Sequence, residues 1–297
     1  MRKAAMTRDE IAKRRDEIAA TRGPWRVDNV QLAAGVYTIG ENADASSDRV
    51  RRRVQTVLDL AASQEKSLRL LDLGCGEGGL ALELGKQGFE VVGIEGRAAV
   101  AEKAEFAREA LGLRRVSIVN RDVRRLSVEE YGYFDVVLAL SILDRLDAPA
   151  VFDVVKRIGS LCTGFALVEA ELAARSRATR TFDGLVFRGA PRREHAASAS
   201  RAERLAAPDR SLDNEQSFLL TRPSMLALLA RAGFTSILET LDPGAVAGAP
   251  CFAAFKGRRA ALHTVPRVNA IPPLRWGEAA HVSPKRGIRH LLVRARR

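Results

Sequence analysis

The string Leu70-Leu71-Asp72-Leu73-Gly74-Cys75-Gly76-Glu77-Gly78-Gly79 constrains this chain more than any other. An apolar strand runs directly into glycines and out into a helix. Glycine there removes Cβ atoms, so the backbone can turn sharply and a ligand can lie against it. Strand and helix patterns then alternate. GLALELGKQG reads as a helix, EVVGIEG as a second strand, RAAVAEKAEFAREALGL as a helix and VSIVNRD as a third strand. FDVVLALS follows as a fourth, then a helix around Ala148–Ile158 and a fifth strand, GFALVEAEL. Short, nearly continuous apolar strands are buried on both faces. The expectation is a doubly wound α/β fold around a mostly parallel sheet.

Gly74, Gly76 and Gly79 also satisfy the dinucleotide pattern GxGxxG, a weak signal by itself. Three acids narrow it. Asp72 stands two residues before the first glycine, where a carboxylate suits a cationic group better than a pyrophosphate. Glu95 ends the second strand, placed to accept hydrogen bonds from both hydroxyls of a ribose. Asp122-Val123 follows the third strand, where a carboxylate and a backbone N–H can read an adenine edge. An adenosine carrying a positively charged amino-acid end satisfies all three.

On these residues, with Asn120-Arg121-Asp122-Val123 and FDVVLAL, the sequence resembles the class I S-adenosylmethionine-dependent methyltransferases from about Leu68 to Lys256. The resemblance implies a seven-stranded Rossmann-like sheet with one antiparallel strand, matching FTSILETL and CFAAFKG as a terminal pair. It implies S-adenosylmethionine as cofactor. Asp72, Gly74 and Gly76 would hold the methionine end with Cys75 between them. Glu95, beside Gly96, would bind the ribose, Asp122 and Val123 the adenine, and Leu140 would line the cofactor near the transferred methyl. A narrower likeness joins Gly23-Pro24-Trp25, Tyr37-Thr38, Phe187-Arg188-Gly189, Arg193-Glu194-His195 and Leu212-Asp213-Asn214-Glu215-Gln216-Ser217-Phe218 to a bacterial group. That group contains enzymes similar to wobble-uridine tRNA methyltransferases and methyltransferases of sugar and natural-product clusters.

The acceptor side is less defined. Many relatives carry Tyr-His after the fourth strand, where this chain has Asp144-Arg145. The pair is either an ion pair internal to the fold or an acceptor contact. Ser141 and Arg145 are taken as acceptor-binding candidates, with Trp25 and Tyr37, which can stack on a ring or else pack the N-terminal segment. His195, beside Glu194, is the candidate base for an alcohol acceptor, and Glu171 a second catalytic candidate. No tight His/Asp cluster indicates a metal, and three scattered cysteines form no CxxC pair.

Residues 1–64 read as an N-terminal helical segment with Thr7 and Ser46 or Ser47 as helix caps, and 65–256 as the cofactor domain. Within that domain, 174–216 is an insertion of no clear periodicity; 257–297 is a basic extension. Net charge is +12, but eleven bases and one acid from Lys256 to Arg297 hold +10 of it. The charge is therefore a property of one tail, which either binds RNA or folds back on its apolar residues. With no apolar span of membrane length and no secretory leader, the expectation is a cytoplasmic enzyme acting on a small molecule. The leading expectation is O-methylation of a small or glycosidic metabolite, with RNA modification and non-catalytic cofactor binding as the alternatives. A homodimer is compatible with any of them.

Overall fold

The computed structural model describes residues 6–41, 44–61, 67–240 and 249–257. The basic extension, with His263, His281 and His290, lies outside the described residues, as does the question of whether it folds back.

The chain opens with α1 (Arg8–Arg22), the short pair β1 (Gln31–Ala33) and β2 (Val36–Tyr37), and α2 (Asp44–Ala61). Thr7 and Glu10 close a reciprocal capping box at the start of α1, as the spacing predicts. The second cap differs: α2 begins at Asp44, so Ser46 and Ser47 fall inside its first turn.

Five strands alternating with four α-helices follow: β3 (Arg69–Leu73), α3 (Gly79–Lys86), β4 (Glu90–Glu95), α4 (Ala98–Ala110), β5 (Val116–Asn120), α5 (Val128–Tyr131), β6 (Phe134–Leu140), α6 (Ala150–Leu161) and β7 (Cys162–Glu169). Then come β8 (Ala178–Phe182), β9 (Leu185–Arg193), α7 (Arg201–Ala206), β10 (Gln216–Leu220), α8 (Arg222–Arg231), β11 (Ser236–Thr240) and β12 (Cys251–Phe255). The main sheet runs β11-β12-β7-β6-β3-β4-β5. β3 to β7 pair in parallel, and β12 is antiparallel to both its neighbours. The seven-stranded sheet with one reversed strand is therefore present.

Why the strands read as unbroken apolar runs is visible in β3 and β6. Leu71, Val137 and Ala139 face a core shared with α6 and α8; Leu70, Val136 and Leu138 face a second core shared with α1, α3 and α4. All six are fully buried. Each such valine or leucine contributes about 1.5–3 kcal/mol, so neither face tolerates a polar residue.

The insertion is regular, contrary to the sequence expectation. β8, β9 and β10 form a separate three-stranded antiparallel sheet, with α7 between β9 and β10. Asp183 and Gly184, both at positive φ, make the two-residue turn between β8 and β9. One face of this sheet is solvated and rich in Arg and Thr, which hides its period-two pattern. Its other face sends Phe182, Phe187 and Phe218 onto Phe152 of α6, with ring centroids 5.1, 5.0 and 6.3 Å apart.

Candidate active site

The chain moves from β3 outward through β4 and β5, then returns to β6 on the other side of β3. Beyond the carboxyl ends of these strands, at the point of reversal, lies a cleft of about 930 Å³. Its floor is the glycine loop. Gly74 and Cys75 donate their N–H groups to the Ile94 carbonyl at 2.8 and 3.0 Å, locking the loop to β4. Gly76 sits at φ 58° with open space where a side chain would stand, so its backbone is available to a ligand. Gly79 is glycine for another reason: a Cβ there would lie 2.5 Å from Asp28 Cγ.

Every residue expected to hold the cofactor lines this cleft: Asp72, Gly74, Cys75, Gly76, Glu95, Gly96, Asp122, Val123 and Leu140. Asp72 is buried and accepts no hydrogen bond from the described residues. Burial, with Asp28 and Glu95 nearby, raises its pKa to about 7 against the pull of Arg53. No cation among the described residues contacts this carboxylate directly, Arg53 acting only at longer range. Glu95 is oriented at both oxygens, accepting from Gly76 N at 3.2 Å and Arg97 N at 2.8 Å. Asp122 accepts from Arg124, at the backbone N at 2.9 Å and from Nε and Nη2 of its guanidinium at 2.9 and 2.6 Å, while Nη2 also pairs with Asp213 at 2.7 Å. Cys75 is inert in this setting: burial first, then Asp72 and Glu95, push its thiol pKa well up, so it stays protonated.

Two segments roof the floor. Gly23, Pro24 and Arg26–Asp28 line one side of the cleft. They are held by Glu77 of the glycine loop, whose carboxylate accepts from the N–H groups of Arg26, Val27 and Asp28 at 3.0–3.3 Å. The same carboxylate is 3.2 Å from Lys103 Nζ, which also donates to the Pro24 carbonyl at 2.7 Å. Asp28 in turn accepts from Gly79 N at 2.9 Å. The second roof comes from the insertion, as Leu205–Leu212 and Asn214. Arg97 Nη2 gathers the carbonyls of Ala207, Arg210 and Ser211 at 2.8–3.0 Å. Leu212 comes so close to Gly96 that a Cβ there would meet it at 2.9 Å.

The acceptor-side expectations divide. Ser141 and Arg145 line the cleft. Ser141 adopts φ 58°, unusual for a residue with a side chain, because its N–H and Oγ both reach Glu169, at 2.7 and 3.0 Å. Arg53 completes this knot by pairing with Glu169. Four other candidates are not in the lining. Trp25 is buried against Phe106, with Lys103 over its ring, because the roof segment folds its aromatic inward. Tyr37 lies in the β1–β2 pair, where its carbonyl takes a bond from Arg15. His195 is buried, its Nε2 2.9 Å from the Ser211 carbonyl. Glu171 is tied to Arg192 at 2.6 Å on the surface. Neither catalytic candidate therefore faces the cleft. Asp144 and Arg145 attract each other without a direct contact, while Asp144 Oδ2 lies 3.6 Å from Arg192.

Asp28, Arg49, Arg53, Arg97 and Leu212 are cleft residues that sequence reasoning missed. Arg49 and Arg53 act electrostatically on Asp28, giving the Asp72 end of the cleft both signs of charge. Among the described residues no group of three His, Cys, Asp or Glu side chains is arranged to hold a metal ion. No helix among them is long and apolar enough to cross a membrane.

A family model described as a methyltransferase domain matches residues 46–239. The N-terminal domain of EvdMO1, crystallised in the presence of SAH and D-fucose, is 25% identical. That alignment covers 87% of this chain and 100% of that one, with a TM-score of 0.64. The same domain with SAH bound gives 24% identity over 86% of this chain and 98% of that one, with a TM-score of 0.65. Among curated proteins, the 23S rRNA (uracil(1939)-C(5))-methyltransferase RlmD of Shewanella piezotolerans (strain WP3 / JCM 13877) is 39% identical over 87 residues, 29% of this chain and 19% of its own length. The RlmD of Shewanella halifaxensis (strain HAW-EB4) is 44% identical over 55 residues, 18% of this chain and 12% of its own. The chain thus matches less than a fifth of the length of these curated relatives. With a family model over more than half its length and this sheet order beneath its glycine loop, the chain belongs to the methyltransferase-domain family, as a class I S-adenosylmethionine-dependent member.

Proposed function

We propose that the chain methylates an oxygen of a small or glycosidic metabolite, acting in the cytoplasm. The observation that carries this reading is the roofed cleft. At about 930 Å³ it stands near the upper end of the range for small-molecule sites, about 300–1,000 Å³. Protein segments close over it from both sides, leaving room for a cofactor and a compact acceptor. The EvdMO1 domain, which was crystallised with SAH and D-fucose, aligns over its whole length and supports a sugar-like acceptor.

The donor set fits S-adenosylmethionine. Asp72 and Asp28 offer buried carboxylates to a cationic amino-acid end, and Arg49 and Arg53 offer charge to its carboxylate. Glu95, already oriented by Gly76 and Arg97, accepts from ribose hydroxyls, and Val123 stands with Asp122 for the adenine edge. When bound, the cofactor supplies a methyl group on a sulfonium, whose charge disappears as the methyl departs. The protein's part is to hold the acceptor in line and to keep water out, since charge neutralisation is favoured in a dry site. An alcohol acceptor also gives up its proton; no histidine lines the cleft among the described residues, so in this reading a lining carboxylate such as Asp209 takes that proton, and orientation and exclusion of water supply the rest of the rate.

The test is an acceptor screen with methyl-labelled S-adenosylmethionine on extracts of the source organism, with and without RNase. Label in small, RNase-resistant products is expected. Label lost with RNase would replace this reading by RNA modification, and cofactor binding without any labelled product would replace it by cofactor sensing.

A further inference from the structure

Arg145 lines the cleft with most of its hydrogen-bonding capacity unused. It lies in the one-turn helix Leu143–Arg145 that follows Leu140 and Ser141, and its Nε donates to the Ser141 carbonyl at 3.2 Å. That is its one side-chain hydrogen bond among the described residues. A guanidinium carries five N–H groups, so the two Nη groups have no acceptor, and Nη1 is shielded from water as well.

The neighbouring acid feels this charge, Arg145 being its strongest opposing charge, but makes no hydrogen bond to it, and its buried Oδ1 has no partner among the described residues. Asp144 turns to Arg192, which donates to its carbonyl at 2.7 Å and lies 3.6 Å from its Oδ2. A second guanidinium is close instead. Arg97, in the same lining, spends Nη2 on three roof carbonyls while its shielded Nε has no partner. Burial lowers the Arg97 pKa first; Glu95 and Asp209 oppose the shift and Arg145 adds to it. Two guanidinium groups with idle donors therefore share one lining; Glu95, Asp209 and Asp144 offset their charge at a distance, but none accepts from the shielded Arg145 Nη1 or Arg97 Nε, and a buried donor without an acceptor costs the fold free energy. The methionine carboxylate would have Arg49 of the lining to receive it, with Arg53, already paired to Glu169, beside it.

We infer that the methyl acceptor bears an oxyanion, a carboxylate or a phosphate, and that Arg145 receives it through its planar fork. This rests on the small-molecule reading above. It makes Arg145 a specificity residue: an anionic sugar is held where a neutral one leaves the fork unpaired.

The full chain, saturated with SAH, is titrated with D-glucuronate, D-glucose and inorganic phosphate, following the arginine Nε–H resonances by NMR. Glucuronate or phosphate is expected to shift the Arg145 signal saturably and to bind at least about tenfold more tightly than glucose. Arg145→Gln is expected to erase that preference with SAH affinity unchanged. Equal affinity for charged and neutral probes, no binding by either anion, or a preference that survives Arg145→Gln overturns the inference. SAH binding without anion discrimination defeats this inference alone. Failure to bind SAH defeats the methyltransferase reading and the inference with it.

Discussion

The floor of the cleft and its roof are built by opposite means. The floor is local: Asp72, Glu95 and Asp122 each stand at or just beyond the end of a strand, and the glycine loop is one continuous string. The roof is assembled from charges that meet across the chain. Glu77 and Lys103 fix Pro24–Asp28, while Arg97 fixes a loop more than a hundred residues away. The floor is thus set by strand geometry and the roof by a few charge-assisted bonds. Binding should depend on the first, and closure and acceptor choice on the second.

Removing Glu77 separates the two regions most sharply. Its pair with Lys103 is almost wholly buried, with side-chain exposures of 5% and 6%. Glu77→Ala leaves a buried ammonium and three N–H donors of the roof without their carboxylate. Stability should fall by about 3–5 kcal/mol, read from urea unfolding. A loss near zero would mean that the roof is not fastened there.

Arg97→Gln loosens the other roof while leaving the floor intact. Charge-assisted bonds of this kind are worth about 1.5–3 kcal/mol. The acceptor KM should rise roughly tenfold or more, and limited proteolysis should cut faster within 205–214. Unchanged KM and cleavage would separate Arg97 from closure.

The floor has its own signature in pH. The folded pKa of Asp72 is raised from 3.8 to about 7. Its ionisation therefore penalises the folded state, beginning above pH 3.8 and complete above about 7, so this group's contribution to stability falls across that window. A cationic ligand needs the ionised form. Cofactor affinity should rise with pH up to about 7 and then level, with a slope approaching tenfold per unit on the acid side. Calorimetry between pH 5.5 and 8 measures it, and Asp72→Asn should flatten the curve.

The smallest effect is expected at His195. It is bonded to the Ser211 carbonyl, outside the lining. His195→Gln should cost about 0.5–1.5 kcal/mol of stability and leave kcat nearly unchanged; a large fall in kcat would restore it as a catalytic group.

The same contrast explains what the sequence revealed. Asp72, Glu95 and Asp122 were legible because an apolar strand ends in each neighbourhood, and strand ends meet at one edge of a parallel sheet. Asp28 was not, since nothing near it in sequence announces the amide of Gly79. His195 looked catalytic because it lies, beside Glu194, in the insertion expected to cover the acceptor. Folded, Glu194 accepts from Ser217 Oγ at 2.7 Å and Ser211 N at 2.8 Å and joins Arg192, tying the insertion together. The Asp183-Gly184 turn did carry a hairpin signal, but the Arg and Thr of β8 obscured the strand beside it.

The central claim is that S-adenosylmethionine binds on this floor, with its ribose at Glu95. Calorimetric titration of the full chain with SAH, in the wild type and in Glu95→Ala, tests it most directly. The expected result is one saturable site, weakened about 10- to 100-fold by the substitution, as for loss of hydrogen bonds to a charged acceptor. No binding by the wild type, or equal affinity in Glu95→Ala, would contradict it.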